Sequence, residues 1–489
     1  MTLIARVLTT LLREDHLGMR TDGEPDGDRW RWRNLRLAIE PDGFLADHRV
    51  TGLEGSGATL DAVLAALAPA DDPEAEQGWI AFTEECHAAA AAESGTRQRE
   101  LLDELAPLHP MGFTGLLHYE ALAATLDHPV YPTGRARLGL TEAELRAYAP
   151  EYRPRFRLRQ SDGLPVHPLT VARGRVDAQD PGPEVIPTLS MRTVALVDDP
   201  GVHLKLPLPT ATLGARNSRS IKQGTLADGA EVQRLLAEVL AAEPALAETV
   251  ILADESTWVD DPDEYRAALT RRYPSELDSD HLVPLAALAA PDPWGDGTVL
   301  DRIAGGDLEG WFDRYLRVLL DFHVALWLRH GIALESHQQN ITLALNKGRI
   351  RLVYKDNDGA RVDPARQEAT FADARMAVQD PAELADVFTT ITLHLCAAAI
   401  VRAAGRDDLF ALIGKRLAEA ADRWTDPTDR ASVEAAELLR TSVLEADRLP
   451  VKAMVTAGTL LPKQRLGCAD INKHYLRTGP NYLRHRSSS

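Results

Sequence analysis

The sequence predicts an α+β protein with a mainly helical N-terminal region, antiparallel strands in the middle and a helical C-terminal part. Three observations support this prediction. Helical composition dominates the first 125 residues, prolines and short β-type runs become frequent after about residue 127, and long helical patterns return from Asp301. At 489 residues the chain is too long for one compact core, so two or three domains are expected.

In the N-terminal part, residues 1–12 are amphipathic, and residues 60–67 and 75–105 have helical composition. The last of these segments is interrupted near Ser94. Residues 30–39 lie between two Pro-Asp-Gly turn sequences, so we expect a strand or hairpin arm there.

The central region contains short β-type runs at residues 155–159, 189–197 and 202–208. Their length and composition predict an antiparallel sheet with irregular connections. Residues 232–240 have a helical pattern inside this region, and residues 282–293 form an apolar connector bounded by prolines.

The C-terminal part begins with an apolar helix over residues 311–328 and continues into a hairpin whose turn is Asn-Lys-Gly-Arg at 346–349. Three further helices are predicted at residues 371–405, 407–425 and 430–447.

Composition excludes several classes of partner. The formal net charge of −19 argues against nucleic acid and against an anionic membrane surface. The cysteines Cys86, Cys396 and Cys468 are sparse and far apart, which suits a reducing compartment. The N-terminus has no basic region or cleavage site, and the apolar run 391–404 is too short to span a bilayer. We therefore expect a cytoplasmic protein whose partners are small molecules.

The most informative motif is Glu-Ser-His-Gln-Gln-Asn at 335–340, followed by an apolar segment that ends at Asp356. Amide and carboxylate oxygens hold Mg²⁺ on nucleotide phosphates, so Asn340 and Asp356 are candidate metal ligands. Glu335 would add an outer ligand or orient His337, which would contact a phosphate or a reacting carboxylate. The alternative is a polar loop followed by a β-turn. The helix before the motif and the strand-Asp-turn after it favour function.

A second motif is Thr-Leu-Ser-Met-Arg-Thr at 188–193. On a strand, alternation would place Ser190 and Arg192 on one face and Thr193 on the other. Two donors side by side suit an anion. Taken alone, an ordinary half-exposed strand explains this motif better.

A third motif runs from Lys205 to Arg216. Two nearby prolines place Lys205 at a sheet edge or in an extended segment. Thr212 and Arg216 are four residues apart, so one helical turn would bring them to one face. The alternative is a solvated basic loop that includes Arg219 and Lys222.

A fourth motif, His-Pro-Val-Tyr-Pro at 128–132, has a backbone fixed by two prolines that aim His128 and Tyr131 in set directions. Arg135 and Arg137 add charge for an anion. A rigid turn between domains explains the motif equally well.

Taken in order, these motifs and Pro-Val-His-Pro at 165–168 resemble the aerobactin-synthetase-like family, the siderophore synthetases independent of nonribosomal peptide synthetases. The resemblance runs from about residue 126 to residue 452. Each motif is weak singly, but when His-x-Gln-Asn at 337–340 and Asp-x-Asp-Gly at 356–359 are counted separately, six motifs in the right order form a specific pattern.

The resemblance implies a thumb (1–165), antiparallel fingers (166–300) and a distantly kinase-like palm (301–489). It also implies a homodimer that uses ATP and Mg²⁺ to adenylate a carboxylate, usually of citrate. Condensation with an amine, hydroxylamine or alcohol would then release AMP; pyrophosphate leaves in the first step.

The resemblance also implies residue roles, carried over by motif. The ATP-phosphate contacts would be Ser190, Arg192, Thr193 and Lys205. The contacts to the carboxylate and the α-phosphate would be Thr212, Arg216 and His337. The nucleotide and Mg²⁺ set would be Gln339, Asn340 and Asp356, with Glu335 beside it. The substrate contacts would be His128, Tyr131, Arg135 and Lys452.

The sequence departs from the family pattern at several positions. Tyr131 stands where the family usually has a second His, Arg135 where it often has Lys, and Lys355 where an Arg often precedes Asp356. Charge is kept at Arg135 and Lys355, so we expect both to attract phosphate. No residue is an unambiguous general base.

Two other functions fit the same motifs. A small-molecule kinase also uses His-x-x-Asn followed by a strand and an Asp, although such kinases usually carry a catalytic Asp near the His. A non-catalytic protein that binds citrate or ATP is the second alternative.

Overall fold

In a computed structural model, the structure describes residues 1–53, 59–93, 95–468, 470 and 473–484. The strands in chain order are β1 (Glu24–Asp26), β2 (Arg29–Trp32), β3 (Leu35–Pro41), β4 (His48–Leu53), β5 (Phe156–Ser161), β6 (Leu164–Val166), β7 (Asp180–Pro187), β8 (Thr193–Leu196), β9 (Val202–Lys205), β10 (Leu208–Ala211), β11 (Ser218–Arg219), β12 (Val250–Leu252), β13 (Asp254–Val259), β14 (Ala268–Arg272), β15 (His281–Pro284), β16 (Ile332–Ala333), β17 (Ile341–Asn346), β18 (Arg349–Tyr354), β19 (Arg361–Val362), β20 (Arg448–Lys452) and β21 (Tyr475–Pro480).

The α-helices in chain order are α1 (Leu3–Arg13), α2 (Leu60–Ala66), α3 (Pro73–Ala92), α4 (Gly95–Leu105), α5 (Gly112–Ala123), α6 (Glu142–Tyr148), α7 (Pro168–Ala172), α8 (Thr225–Ala242), α9 (Pro244–Ala247), α10 (Val299–Ala304), α11 (Leu308–His330), α12 (Ala382–Val387), α13 (Ala399–Ala403), α14 (Phe410–Trp424), α15 (Arg430–Leu439) and α16 (Lys463–Leu466). Mixed helices and antiparallel sheets confirm the predicted α+β class. The predicted break near Ser94 falls on a residue outside the described ranges.

The N-terminal part forms its own core. Helix α1 packs against the antiparallel sheet β1-β2-β3-β4, and its Thr2 cap accepts a hydrogen bond from the Ala5 amide. In β2 the tryptophans Trp30 and Trp32 are buried and the alternating arginines are exposed. Period-two alternation of this kind covers one face of a sheet, and the predicted hairpin arm is confirmed.

The central region is a seven-stranded sheet in the order β13-β14-β9-β8-β7-β5-β6, with antiparallel neighbours throughout. The predicted antiparallel sheet is confirmed. One predicted strand is wrong at its start: β8 begins at Thr193, and residues 188–192 form a tight turn in which Met191 has a φ of +64°. Residues 281–284, predicted within an apolar connector, pair as strand β15 with β17.

A second, four-stranded sheet has the order β12-β18-β17-β15, and the predicted hairpin of β17 and β18 is confirmed. The apolar helix α11 packs against β18, α14 and α15 and contributes many side chains to the largest core. This sheet and α11 support the ends of the loops that carry the 335–340 motif and Asp356 (below).

A helix over Ala382–Ala403 runs through the C-terminal core, and its middle, Phe388–Ala398, is π-helical. The predicted helix 371–405 is therefore wrong before residue 382, where Pro381 precedes the first turn. In the described ranges, Ala382–Ala403 is the one helix long and apolar enough to cross a membrane, and 94% of its most apolar window is buried inside the molecule.

The predicted domain limits stay predictions. The limit between residues 165 and 166 falls within β6, which pairs with β5 at one edge of the seven-stranded sheet.

Candidate active site

A cavity of about 510 Å³ lies where the seven-stranded sheet, the four-stranded sheet and the C-terminal helices meet. This volume is that of a typical small-molecule site. One half is polar, and its charged and polar lining includes His128, Arg135, Arg137, Ser190, Arg192, Thr193, Thr212, Asn217, Arg219, Glu335, His337, Gln339, Asn340, Asp356, Asp358 and Lys452. The other half is apolar and includes Leu126, Leu285, Leu288, Leu300, Ile391, Leu395 and Ile400.

Most of the residues singled out in the sequence therefore meet in one cavity, although they come from five separate stretches of the chain. Three predicted residues do not line it: Tyr131, Lys205 and Arg216. The reasons differ for each of them.

Lys205 lies behind the cavity wall as the counter-ion of two aspartates. Its ammonium contacts Asp356 Oδ1 and lies 2.7 Å from Asp358 Oδ2, and the lysine is buried. Burial opposes ionisation of Asp356, yet Lys205 and the nearby Arg271 outweigh it and hold the pKa of this carboxyl far below its usual range. Burial and the charge of Asp356 raise the pKa of Asp358. Lys205 thus neutralises the two carboxylates and reduces their repulsion of a phosphate in the cavity.

Two arginines add positive charge to the cavity lining. Arg192 Nη1 donates to the Ser220 carbonyl at 3.0 Å, and Arg219 Nε donates to Thr212 Oγ1 at 2.5 Å. Burial, together with the charges of Arg192 and Arg137, lowers the pKa of Arg219 to about 9. Such mutual repulsion is relieved by a bound anion, so this corner is suited to a polyphosphate.

The sequence interpretation missed Arg219, which it placed in a solvated basic loop. In the structure Arg219 belongs to β11, which pairs with β10 in a two-stranded ribbon and brings the guanidinium over the cavity. No local signal distinguished this two-residue strand from a loop.

The predicted pairing of Thr212 and Arg216 on one helical turn is wrong, because residues 212–217 form an irregular turn in which Leu213 has a φ of +56°. Arg216 points away from the cavity lining and donates to the Thr459 carbonyl, while its own amide donates to Gly458 O at 2.9 Å. Its role in this structure is to tie the turn to the segment 456–460.

Tyr131, predicted as a substrate contact, is fully buried and donates to Glu85 Oε2 at 2.7 Å. Glu85 also accepts from Thr133 Oγ1 and from the Ala215 amide. The tyrosine is therefore part of a buried hydrogen-bond network. His128, which lines the cavity, accepts from two backbone amides through Nδ1, and burial lowers its pKa to about 3.

Lys355 was expected to attract phosphate, and this expectation is wrong. Its ammonium is buried and lies 2.9 Å from Glu120 Oε1. The second oxygen of Glu120 accepts from the Leu189 amide at 2.7 Å. Glu120 thus connects the strand end before Asp356 to the turn that carries Ser190.

That turn is held by its own side chains. Ser190 Oγ accepts from the Thr193 amide at 3.0 Å, and Thr188 Oγ1 donates to the Thr193 carbonyl at 2.8 Å. Ser190 and Arg192 reach the cavity together, as the predicted strand would also have arranged, but Thr193, predicted on the other face, lines the cavity with them.

The 335–340 motif lies beside Asp356, since the Lys355 amide donates to the Asn340 carbonyl at 3.1 Å. Asn340 Nδ2 donates to the Glu335 carbonyl at 2.9 Å, which leaves the amide oxygen for a ligand. Glu335 itself is paired with Lys473 at 2.8 Å, and although burial raises its pKa, Lys473 and Lys452 outweigh this and lower it to about 2. Glu335 is therefore paired with a lysine, and its role as an outer metal ligand stays a prediction.

His337 and Lys452 also line the cavity. Burial lowers the pKa of His337 to about 4, so its imidazole is neutral at pH 7. Burial, with a contribution from Lys473, lowers the pKa of Lys452 to about 8. A neutral imidazole and an ammonium with a lowered pKa are both suited to contact a carboxylate.

The oxygen donors suit magnesium carried by a nucleotide. Among the described residues, no three His, Cys, Asp or Glu side chains form a metal-binding group. Mg²⁺ that arrives with phosphates needs one or two carboxylates, however, and Asp356, Asp358 and the Asn340 amide supply such a hard donor set at the cavity wall.

Comparisons with known proteins agree with this fold. A family model described as the IucA / IucC family matches residues 115–161 and 165–290, and a model described as ferric iron reductase FhuF-like transporter matches residues 309–466. Staphyloferrin B synthase from Staphylococcus aureus (strain NCTC 8325 / PS 47) is 29% identical over 189 residues, which are 35% of this chain and 32% of the relative. Staphyloferrin A synthase from the same strain is 27% identical over 36% of this chain and 31% of the relative. The match spans about a third of these curated relatives.

Solved structures share the fold over nearly the whole chain. The petrobactin biosynthesis protein AsbB from Bacillus anthracis str. Sterne has a TM-score of 0.75 at 14% identity and covers 98% of this chain and 95% of its own. ATP-bound aerobactin synthetase IucA from a hypervirulent pathotype of Klebsiella pneumoniae has a TM-score of 0.65 at 16% identity and covers 99% of each chain. At these identities the likeness establishes the fold.

The fold and cavity thus define an α+β protein of the architecture found in siderophore biosynthesis proteins. The resemblance that its motifs predicted is confirmed by the match of the IucA / IucC family model to residues 115–161 and 165–290 and by the similarity to the staphyloferrin synthases.

Proposed function

We propose that this protein is an ATP-dependent siderophore-type synthetase that adenylates a carboxylate and condenses it with an amine, hydroxylamine or alcohol. Citrate or a citrate derivative is the proposed acid. The observation that carries the proposal is the charge arrangement of one cavity. Arg192 and Arg219 line the cavity together with His337 and Lys452, and Lys205 lies behind its wall as the counter-ion of Asp356 and Asp358.

The first step brings two anions together, because a carboxylate oxygen must attack the α-phosphorus of ATP. Arg192 and Arg219 would neutralise the phosphates, and Lys452 would hold the acid opposite them. Orientation of the reactants can contribute about 7–11 kcal/mol to lowering the barrier. The C–O–P linkage forms as pyrophosphate leaves, and preorganised cations are worth more in a site that excludes water.

Magnesium would be held by Asp356, Asp358 and Asn340, where it neutralises phosphate charge. The apolar half of the cavity, walled by Leu285, Leu288 and Ile391 among others, would take the adenine ring. In the second step the nucleophile attacks the acyl carbon and AMP leaves. Glu335 is paired with Lys473, whereas His337 is neutral and lines the cavity, so His337 is the candidate to accept the proton that the nucleophile loses.

A pyrophosphate-release screen tests the proposal. The protein is incubated with Mg²⁺, ATP, hydroxylamine as a surrogate nucleophile and a panel of di- and tricarboxylates. We expect pyrophosphate and AMP in equal amounts with at least one acid, citrate first. ADP as the nucleotide product would indicate a kinase, and no turnover with any acid would indicate a binding protein.

Lys452 gives the reaction a predicted pH dependence. Its pKa of about 8 means that the ammonium is present below pH 8 and is lost as the pH rises through 8. We therefore expect kcat/KM for the acid, which reports the free enzyme, to fall above pH 8. Lys452→Met should have a higher KM for the acid and should lack this alkaline limb. An unchanged limb in Lys452→Met would contradict the assignment.

A further inference from the structure

The backbone of Asp356 adopts an unusual conformation for a site residue. Its φ is +73°, which lies in the left-handed region that residues other than glycine rarely adopt. Such conformations cost free energy and persist where surrounding contacts hold them, often at functional sites. The strand that precedes it, β18, ends at Tyr354, and the Lys355 amide makes the last hydrogen bond in this direction, to Asn340 O at 3.1 Å.

The next two amides need other partners, and one carboxylate provides both. Glu255 Oε1 accepts from the Asp356 amide at 2.9 Å, and Glu255 Oε2 accepts from the Asn357 amide at 3.3 Å and from Asn357 Nδ2 at 3.1 Å. Glu255 lies in β13, directly after the chain passes from the four-stranded sheet to the seven-stranded sheet. Its hydrogen bonds therefore connect β13 of the seven-stranded sheet to the residues that follow β18 of the four-stranded sheet.

Glu255 is in turn held by a buried arginine. Arg271 Nε donates to Glu255 Oε1 at 2.5 Å, and Arg271 Nη2 lies 4.0 Å from Asp356 Oδ1. Both Glu255 and Arg271 are buried, and neither lines the cavity. The same pair thus fixes the Asp356 backbone and adds positive charge near its carboxylate.

We propose that Glu255 is a positioning residue that holds Asp356 in its left-handed conformation, so that the Asp356 carboxylate faces the cavity as a ligand for the magnesium of bound ATP. This inference rests on the proposed function for the identity of the ligand. Loss of Glu255 would free the two amides, allow the backbone to relax to an extended conformation and turn the carboxylate away from Lys205. Outer partners of this kind commonly contribute to metal affinity although they do not touch the ion.

The test measures ATP binding by titration calorimetry at a series of Mg²⁺ concentrations. We expect Glu255→Gln to raise the Mg²⁺ concentration needed for half-maximal ATP binding by about 10–100-fold. The double variant Glu255→Gln/Arg271→Met should show the same shift without leaving a buried arginine unpaired. Asp280→Asn is the matched control, because Asp280 is a buried carboxylate paired with Arg351 that has no contact with Asp356.

An Mg²⁺ dependence in either Glu255 variant equal to that of the wild type would overturn the positioning role. Absence of AMP formation by wild-type protein that binds ATP would instead overturn the synthetase proposal and leave the binding comparison intact. Should both variants fail to fold, hydrogen exchange in the wild type decides. The Asp356 and Asn357 amides are expected to exchange far more slowly than the turn amides of Lys347 and Gly348, and equal rates would overturn the proposal.

Discussion

Lys205→Met is expected to lower the rate of pyrophosphate formation by about 100-fold or more, comparable to the loss of one preorganised charge donor in other enzymes. Lys205 is the shared counter-ion of Asp356 and Asp358, and its removal leaves two half-buried carboxylates side by side. One of them would take up a proton or repel the triphosphate, because like charges at this distance raise a carboxyl pKa. Steady-state kinetics with varied ATP would show the effect in kcat/KM for ATP.

Lys222→Met is the control for this prediction. Lys222 is an exposed lysine three residues after the end of β11. Its loss removes the same charge from the protein without removing a contact of either aspartate. Both variants should be compared at matched fractions of folded protein. A Lys205→Met protein with the same kcat/KM for ATP as Lys222→Met would contradict the counter-ion role.

The second large effect is expected at Arg219. Arg219→Ala should lower kcat/KM for ATP by about 100–1,000-fold, because the guanidinium lines the cavity beside Arg192 and is preorganised by Thr212. Arg219→Lys should recover part of this loss, since it keeps the charge but not the planar fork.

Arg216→Ala provides the contrast. The family resemblance implies that Arg216 contacts the acid and the α-phosphate, but the structure directs this side chain to the Thr459 carbonyl. We therefore expect Arg216→Ala to lower the free energy of unfolding by about 1–3 kcal/mol, as for a lost hydrogen bond to a charged group, and to leave KM for ATP nearly unchanged. A reversed order of the two variants, with Arg216→Ala the less active, would favour the role that the family resemblance implies for Arg216.

Much of the fold followed from periodicity. The apolar helix α11, the β17–β18 hairpin and the antiparallel central sheet were all predicted, because each depends on local patterning of apolar residues over five or more positions. The predictions of secondary structure that failed concern short segments. The turn at 188–192 and the strand at 281–284 are set by tertiary pairing and by one residue with positive φ, which composition does not reveal.

The site was predictable where a motif places a side chain at the end of a strand, as for Asn340 and Asp356. Predictions failed where the direction of a long side chain decided the role. Lys355 follows a buried strand and precedes Asp356 in sequence, yet its ammonium pairs with the buried Glu120 and does not line the cavity. Glu120 and Glu255 carried no sequence signal, since a single buried carboxylate in a helix or strand looks like any surface glutamate until its partners are known.

The measurement that tests the central proposal most directly follows oxygen from the acid into the products. Citrate labelled with ¹⁸O in its carboxylates is incubated with ATP, Mg²⁺ and hydroxylamine, and the products are analysed by mass spectrometry. Attack of a carboxylate on the α-phosphorus places one ¹⁸O atom in AMP when the nucleophile displaces it, and this is the result we expect. Label in inorganic phosphate together with ADP, or unlabelled AMP, would contradict a carboxylate adenylated between the arginines and Lys452.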